Sequence, residues 1–569
     1  MMSVAVPAKL RSKLGSIAIA PWLRDYQAAW ICQDAVAGLT LAAYAIPVSL
    51  AYANLAGLPP QVGIYGYLLG GLGYALLGSS RQLAVGPTSA ISLMIAATVG
   101  LMAAGDVQRY AEIASLTAFV VAGLCVLAWI FRLSMLVLLF SDSVLVGFKI
   151  GAGMTIAMTQ LPSLTGAPGG GHNFIERLVI LAGQLGGIRI SVLAIGLTAL
   201  MLLLAGERIL PGRPVALGVV AVAILASTLL DLAAAGVTVT GFIPYGLPSL
   251  SGPSLRLSDI EGIFPLAAGC LLLAYVESIS AARTFAAKHG YSIDPRQEFL
   301  GLGAANLAAA MGQSYPVAGG LSQSAVNDKA GARSQAALVF ASIALGLCLL
   351  FLTELLENLP KAVLAAIVLT AILGLFDFAK LAHMWRVSSL DFYAAMIALV
   401  AVLLFGILQG IVLAALSSIL LLLFRASRPH VAFLGRIPGT RTYSDIARHP
   451  ENEELAGVLA FRPEASLIYV NADAVFAAVC GRLQTIGTSN IRLVVCDLSA
   501  SPFIDLTGSQ TLHKLAANLD TCGIPLRVIG AHGHVRDFLR ADGLSEKVDG
   551  IDREQTLSRL LEELETVHR

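Results

Sequence analysis

The chain is short of charge. Lys, Arg, Asp and Glu make up 13% of its 569 residues, about half the ~25% usual in a soluble globular protein. The shortage is uneven: the 142 residues after Ser427 hold 15 Lys/Arg and 18 Asp/Glu, and the 427 before them hold only 22 and 18. With a mean hydropathy of +0.78, the first three quarters must therefore be solvated by lipid and the last quarter by water. The net charge of +1 leaves no basic surface for nucleic acid. The seven cysteines form no C-x-x-C pair and stand near no histidine at ligand spacing, so neither a disulfide framework nor a zinc site is expected. His172 and the other histidines suggest no ligand set. There is no H-E-x-x-H, no Walker loop and no G-x-S-x-G between a strand and a helix, so an enzyme is not expected, nor any cofactor. The basic start (Lys9, Arg11, Lys13, Arg24) runs into apolar spans without a cleavage site, which reads as no signal peptide.

What the chain has in quantity is apolar runs. They fall at 35–55, 61–78, 87–104, 110–130, 143–161, 189–205, 215–233, 260–280, 297–311, 334–352, 361–379, 391–408 and 410–424, with a shorter Gly-rich piece at 316–330. That predicts about fourteen crossings, several below the ~20 residues of a full transmembrane helix. Interrupted segments at membrane depth are tolerated only where they line a protein cavity. With the N-terminus inside, the alternate loops hold thirteen Lys/Arg on the inner side and five on the outer. This satisfies the positive-inside rule and puts both termini in the cytoplasm. The expected layout is an N-terminal segment 1–33, a transport domain 34–427, a linker 428–454 and a soluble domain 455–569.

Two interrupted segments occupy matching places in the two halves. One is Arg81 to Ser89, in which Pro87 suits the first turn of a helix. The other is Ser314 to Ser324, through Gly319, Gly320, Leu321, Ser322 and Gln323. Paired Gly/Pro-interrupted segments point to a transporter site. Each would aim a helix N-terminus, worth roughly +0.5 charge, at the bilayer centre, which suits an anion. Ordinary kinks or small-residue packing faces are the alternative. Glu277 lies late in the apolar run Leu271 to Ser280, where an ionisable group is functional by default and a candidate proton carrier. A glutamate snorkelling to the interface is the plainer reading. Asp34 and Asp142, each just before an apolar run, read as helix caps.

Leu58-Pro-Pro-Gln-Val-Gly-Ile-Tyr65, Ser79-Ser-Arg-Gln-Leu-Ala-Val-Gly-Pro87 and Pro316-Val-Ala-Gly-Gly-Leu-Ser-Gln-Ser-Ala-Val-Asn327, in that order, resemble signatures of the sulfate permease (SulP) family of anion transporters. The resemblance implies a polytopic α-helical fold of two inverted seven-helix repeats, arranged as core and gate domains that move against each other. The anion is then expected between the third and tenth helices, at Tyr52, Pro87, Thr88, Ser89, Gly319, Gly320, Leu321, Ser322 and Gln323, with Glu277 as the proton-coupling acid. It also implies a homodimer in the cell membrane. Its substrate would be sulfate taken up with protons, or alternatively bicarbonate, chloride or a dicarboxylate. Two departures bear on this: Val48 stands where many relatives have Gln, and Gln323 where many have Arg. Losing that arginine weakens compensation of a dianion unless a proton accompanies it.

After Leu455 the period changes. Leu467–Val470, Leu493–Cys496 and Leu526–Ile529 read as strands, each followed by a helical pattern (Ala472 to Thr485, Thr507 to Asp520, Val535 to Leu539), which argues a small α/β domain. The stretch Asp497-Leu-Ser499 with Phe503-Ile-Asp-Leu-Thr-Gly508 is similar to the hallmark of the STAS domain. Thr507 falls where related domains carry a phosphorylatable serine, which makes it a regulatory candidate and leaves room for a cytoplasmic partner. A plain N-cap is the alternative. A membrane sensor that signals through this domain is the reading from a different class.

Overall fold

A computed structural model describes residues 19–133, 141–171, 173–210, 214–234, 236–549, 551 and 556–567. Lys9, Arg11, Lys13, His172 and Arg213 lie outside them. Two compact units divide at Ser418. The first holds the membrane-depth helices α1 (Ile31–Leu55), α2 (Pro60–Leu77), α3 (Ser89–Ala103), α4 (Val107–Ile130), α5 (Asp142–Thr165), α6 (Ile190–Ile209), α7 (Val215–Leu229), α8 (Leu257–His289), α9 (Pro295–Met311), α10 (Leu321–Lys329), α11 (Ala336–Phe351), α12 (Lys361–Ile372) and α13 (Ser389–Phe405). A further helix, α14 (Ile407–Ser427), spans the division. Seven helical stretches among the described residues, one of them the interrupted stretch Lys361–Val387, are at least 18 residues long and apolar enough to cross a membrane. The segment expected at 361–379 is instead α12 followed by a separate amphipathic helix, Phe378–Val387.

The helix contacts obey a two-fold pattern. α1 packs on α10 and α11, α2 on α9 and α11, α4 on α8 and α9, and α3 on α8. Exchanging α1–α7 with α8–α14 maps these pairs onto one another, and it also maps α5·α13 onto α12·α6. Two bundles result: α1–α4 with α8–α11, and α5–α7 with α12 and α13. They meet chiefly where α1 touches α12 and α7, and where α3 touches α5.

The tightest pairs close on glycine. A Cβ at Gly147 of α5 would overlap the carbonyl oxygen of Ala395 in α13, and one at Gly73 of α2 would lie 2.8 Å from the Cα of Ala305 in α9. Small residues let backbones approach where lipid supplies no hydrophobic drive between helices.

Asp34 and Asp142 do not cap their own helices. Asp34, fully buried in α1, accepts from the Arg333 N–H (2.7 Å), the Ser334 N–H (3.2 Å) and the Ser334 hydroxyl (2.7 Å), and so fastens the start of α11. The cap of α5 is Ser141, whose hydroxyl accepts from the Val144 N–H. A serine directly before the aspartate satisfies the same donor.

Between helices α2 and α3, and between α9 and α10, the chain is extended: β1 (Val85–Gly86) pairs antiparallel with β2 (Ala318–Gly319). Backbone polar groups at this depth cannot be left to lipid, and side chains complete the ladder. Asn306 binds both the N–H and the carbonyl of Val317 at 3.0 Å. The Ala84 N–H donates to Ser324 Oγ at 2.9 Å. The Gly319 N–H donates to Ser278 Oγ at 2.8 Å.

The second unit has a five-stranded sheet in the order β4-β3-β5-β6-β7, made of β3 (Val431–Arg436), β4 (Tyr443–Asp445), β5 (Val458–Pro463), β6 (Leu493–Asp497) and β7 (Leu526–Ile529). β3 is antiparallel to both β4 and β5, while β5, β6 and β7 run parallel. Helices α15 (Ala472–Ile486), α16 (Leu506–Asp520) and α17 (Gly533–Ala541) bury one face, and Leu557 and Leu560 of α18 (Leu557–Val567) cover the other. Residues 428–454 therefore include two strands and are not simply a linker. Pro429, Pro438 and Gly439 flank short runs whose pairing is decided by the partner strand. Leu467–Val470 is not a strand either. Leu467 makes one isolated bridge to Ile504, and the ladder position belongs to Val458–Pro463.

If the α5–α13 approach sets the second bundle, Gly147→Ala should cost about 1–3 kcal/mol of stability. Its thermal unfolding midpoint in detergent should fall. Gly123→Ala, on α4 with open space around it, should leave the midpoint unchanged or slightly raised.

Candidate functional site

The short β pair turns two chain segments into half-helices. α3 starts at Ser89 behind Thr88, and α10 starts at Leu321 behind Gly320; neither has a side-chain cap. The first-turn N–H groups of a helix have no intrahelical partner, so each end presents free donors and the positive pole of its dipole. The Thr88 hydroxyl is buried and has no hydrogen-bond partner among the described residues.

Both ends face a cavity of about 120 Å³, far below the ~300–1,000 Å³ of a drug-sized ligand pocket. A small ion fits it; a large metabolite does not. Its walls are Tyr44, Val48 and Tyr52 of α1, Pro87, Thr88 and Ser89 at the start of α3, Lys149 of α5, Glu277, Ser280 and Ala281 of α8, Gly320–Gln323 at the start of α10, Ala371 in the last turn of α12, and Gly374 and Leu375 just after it. The titratable side chains here are Glu277, Lys149, Tyr44 and Tyr52. A larger space of about 370 Å³ adjoins it, sharing Tyr44, Val48, Ser322, Ala371 and Gly374 and adding Thr40, Glu207, Lys329 and Thr370. Glu207 and Lys329 stand near the far ends of α6 and α10, so this space forms a vestibule leading to the smaller cavity.

Residues far apart in sequence are thus brought together: Tyr52, Pro87, Thr88, Ser89, Glu277, Gly320, Leu321, Ser322 and Gln323 all line one cavity. Gly319 does not. It is a β2 residue, packed so closely that a Cβ would meet the Leu83 side chain at 2.7 Å. Gln323 reaches the cavity with its amide already engaged: Oε1 accepts from Tyr67 Oη at 2.5 Å, and Nε2 donates to the Ala318 carbonyl at 3.1 Å. It holds the turn before α10 as well as facing the site. Thr507 is exposed in the first turn of α16, but the cap is Asp505, whose carboxylate accepts from the Gly508 N–H at 2.8 Å.

Two further side chains help to build the site, one lining the cavity and one holding the loop before β1. Lys149 is a lone cation inside the apolar run 143–161, and an ionisable residue at that depth is itself the signal. It enters from the second bundle, opposite the half-helices of the first. Glu298 is fully buried in α9 and accepts from the Tyr74 hydroxyl on both oxygens, from the Ser79 N–H at 2.9 Å and from the Ser79 hydroxyl at 2.6 Å. It pins the loop that runs from α2 into β1. Only its position late in Asp294-Pro-Arg-Gln-Glu298, at a helix start, hinted at a role.

The chain resembles known proteins along nearly all its length. Residues 31–398 match the sulfate permease family and residues 449–558 the STAS domain. A probable sulfate transporter of Mycobacterium tuberculosis is 33% identical over 528 residues, covering 92% of this chain and 94% of that one. The chloroplastic sulfate transporter 4.1 of Arabidopsis thaliana is 29% identical over 544 residues, covering 93% and 79%. Among solved structures, the murine Solute Carrier 26 family member A9 anion transporter in its inward-facing state superposes with a TM-score of 0.86 at 22% identity, covering 96% of this chain and 93% of that one. The transmembrane domain of a cyanobacterium bicarbonate transporter, BicA, gives 0.59 at 19% identity, covering 69% and 98%. On the first two matches, the chain belongs to the sulfate permease family, a family of membrane transporters and not of enzymes, and it ends in a STAS domain.

Proposed function

We propose that the protein carries small inorganic anions across the cell membrane by alternating access, with sulfate accompanied by a proton as the first substrate. The observation that supports this most is the convergence of two uncapped helix ends, Lys149 and Glu277 on one ion-sized cavity. The two ends together offer roughly one unit of positive charge, and Lys149 adds another. A dianion is then balanced when Glu277 is protonated. With Glu277 ionised, the same site balances a monovalent anion, which is what favours bicarbonate or chloride as the second reading. Proton and sulfate thus favour each other's binding, which is the linkage a symporter needs. The vestibule reaches Glu207 and Lys329, beside loops rich in Lys/Arg, so the described state reads as open to the cytoplasm with both termini on that side. A homodimer and a regulatory partner for the STAS domain belong to the same reading, with Thr507 the exposed position a modifying enzyme would reach.

Uptake of radiolabelled sulfate into proteoliposomes tests it, with and without an inward proton gradient and against excess unlabelled bicarbonate, chloride and succinate. Gradient-driven uptake that only sulfate-like oxyanions block is the expected result. No uptake from vesicles holding folded protein would sink the sulfate reading and leave the monovalent one. In the same assay, Glu277→Gln should lose stimulation by the gradient while keeping sulfate–sulfate exchange. Equal gradient stimulation in variant and parent would remove Glu277 from coupling.

Lys149→Met should weaken sulfate binding roughly 10- to 100-fold, the range for removing a charged partner. Ser322→Ala should weaken it about three- to tenfold. Both should leave the yield of folded protein unchanged. Binding is read by scintillation proximity on purified protein.

A further inference from the structure

Glu277 and its neighbour Ser278 face different ways. Successive residues of a helix point about 100° apart, so while Glu277 lines the cavity, Ser278 turns into the protein and is fully buried. Its Oγ accepts the Gly319 N–H at 2.8 Å. Gly319 is the last residue of β2, and the Gly320 N–H that follows goes to the Ala84 carbonyl of the opposite segment at 3.3 Å. The next residue, Leu321, opens α10, whose first-turn donors face the cavity. One hydrogen bond therefore joins the helix that carries the acid to the strand that sets where those donors lie. The Leu83 side chain packs closely against Gly319.

We propose that Ser278 is a positioning residue: through Gly319 it fixes the N-terminal end of α10 against Glu277, and so sets anion affinity and the response of that affinity to the acid. The affinity half of this rests on the anion-binding reading above; the latch itself does not. Removing the hydroxyl strands a buried N–H, and the β2–α10 turn relaxes toward another acceptor. The helix end then no longer meets the anion and Glu277 in register. Ser342 is the comparison. It is equally buried on α11, and its hydroxyl donates to the Leu68 carbonyl at 2.8 Å, away from the cavity.

Two measurements on the full-length protein separate latch from consequence. In hydrogen–deuterium exchange without anion, Ser278→Ala should speed exchange of peptides covering 318–324 about five- to tenfold and leave 85–92 at the parent rate. Ser278→Thr, which keeps the hydroxyl, should exchange as the parent does. Radiolabelled sulfate binding is then compared at about pH 6 and about pH 8. Ser278→Ala should bind about five- to tenfold more weakly at the lower pH, with the difference between the two pH values reduced. Ser342→Ala should keep both the affinity and the difference. Parent-like exchange at 318–324 in Ser278→Ala overturns the latch whatever the protein carries. Altered exchange with parent-like affinity and pH response overturns the positioning role. So does an equal loss in Ser342→Ala, which would mark a general packing effect. A parent that binds no anion at either pH overturns the functional reading and with it the affinity half, while the exchange result still decides the latch.

Discussion

Everything in the membrane unit turns on one constraint: two stretches of chain are extended where no water is available to satisfy them. A helix satisfies its own backbone, but β1 and β2 cannot. They solve this by pairing with each other and by recruiting Asn306, Ser324 and Ser278 for groups the two-residue ladder leaves over. The pairing has to be antiparallel, because the two segments come from halves that cross the membrane in opposite senses. Once they pair, the half-helices that follow must start close together and point their N-termini at the same volume. The anion-sized cavity is thus a by-product of how broken chain is tolerated at that depth.

The same logic explains the two-fold pattern of helix contacts. Two copies of one seven-helix plan, related by inversion, are the simplest way to deliver two half-helices head to head. Glycines at the closest approaches, Gly73 and Gly147, let the backbones come near enough for the extended segments to meet. Glu298, with the Tyr74 hydroxyl and Ser79 around it, closes off the loop that would otherwise fray at the mouth of β1.

Much of this was legible in the residues, for identifiable reasons. The apolar runs reported the spans because lipid exposure allows little else, and the paired Gly/Pro interruptions reported the half-helices because few other places at that depth need them. Nine of the ten proposed anion and proton residues line one cavity. Gly319 was misread because sequence cannot separate a glycine that frees space for a ligand from one that yields it to Leu83. Lys149 sits within an unbroken stretch of helix, so only its charge within an apolar run marks it. In the second unit α15 and α16 were read to within a residue at each end, because amphipathic periodicity over three or more turns is a strong signal, whereas the shorter α17 was read only at its centre, 535–539. Of the strands, β6 and β7 were read and β3, β4 and β5 were not, while Leu467–Val470, apolar enough for a strand, pairs only through the single Leu467–Ile504 bridge.

Lys149 has one further consequence, and it is electrical. The helix ends, Thr88, Ser322 and Glu277 all ride on the first bundle, whereas Lys149 is fixed to the second. In the proposed alternating-access cycle, displacement of one bundle against the other would carry the anion and its helix-end partners away from a stationary cation. Charge then moves through part of the membrane field, where each full elementary charge is worth about 2.3 kcal/mol per 100 mV. The occupied and empty carriers of such a cycle would differ in the charge they carry on that path, so membrane voltage would bias their equilibria unequally. In that proposed cycle, where the lysine sits would decide which half the membrane potential drives.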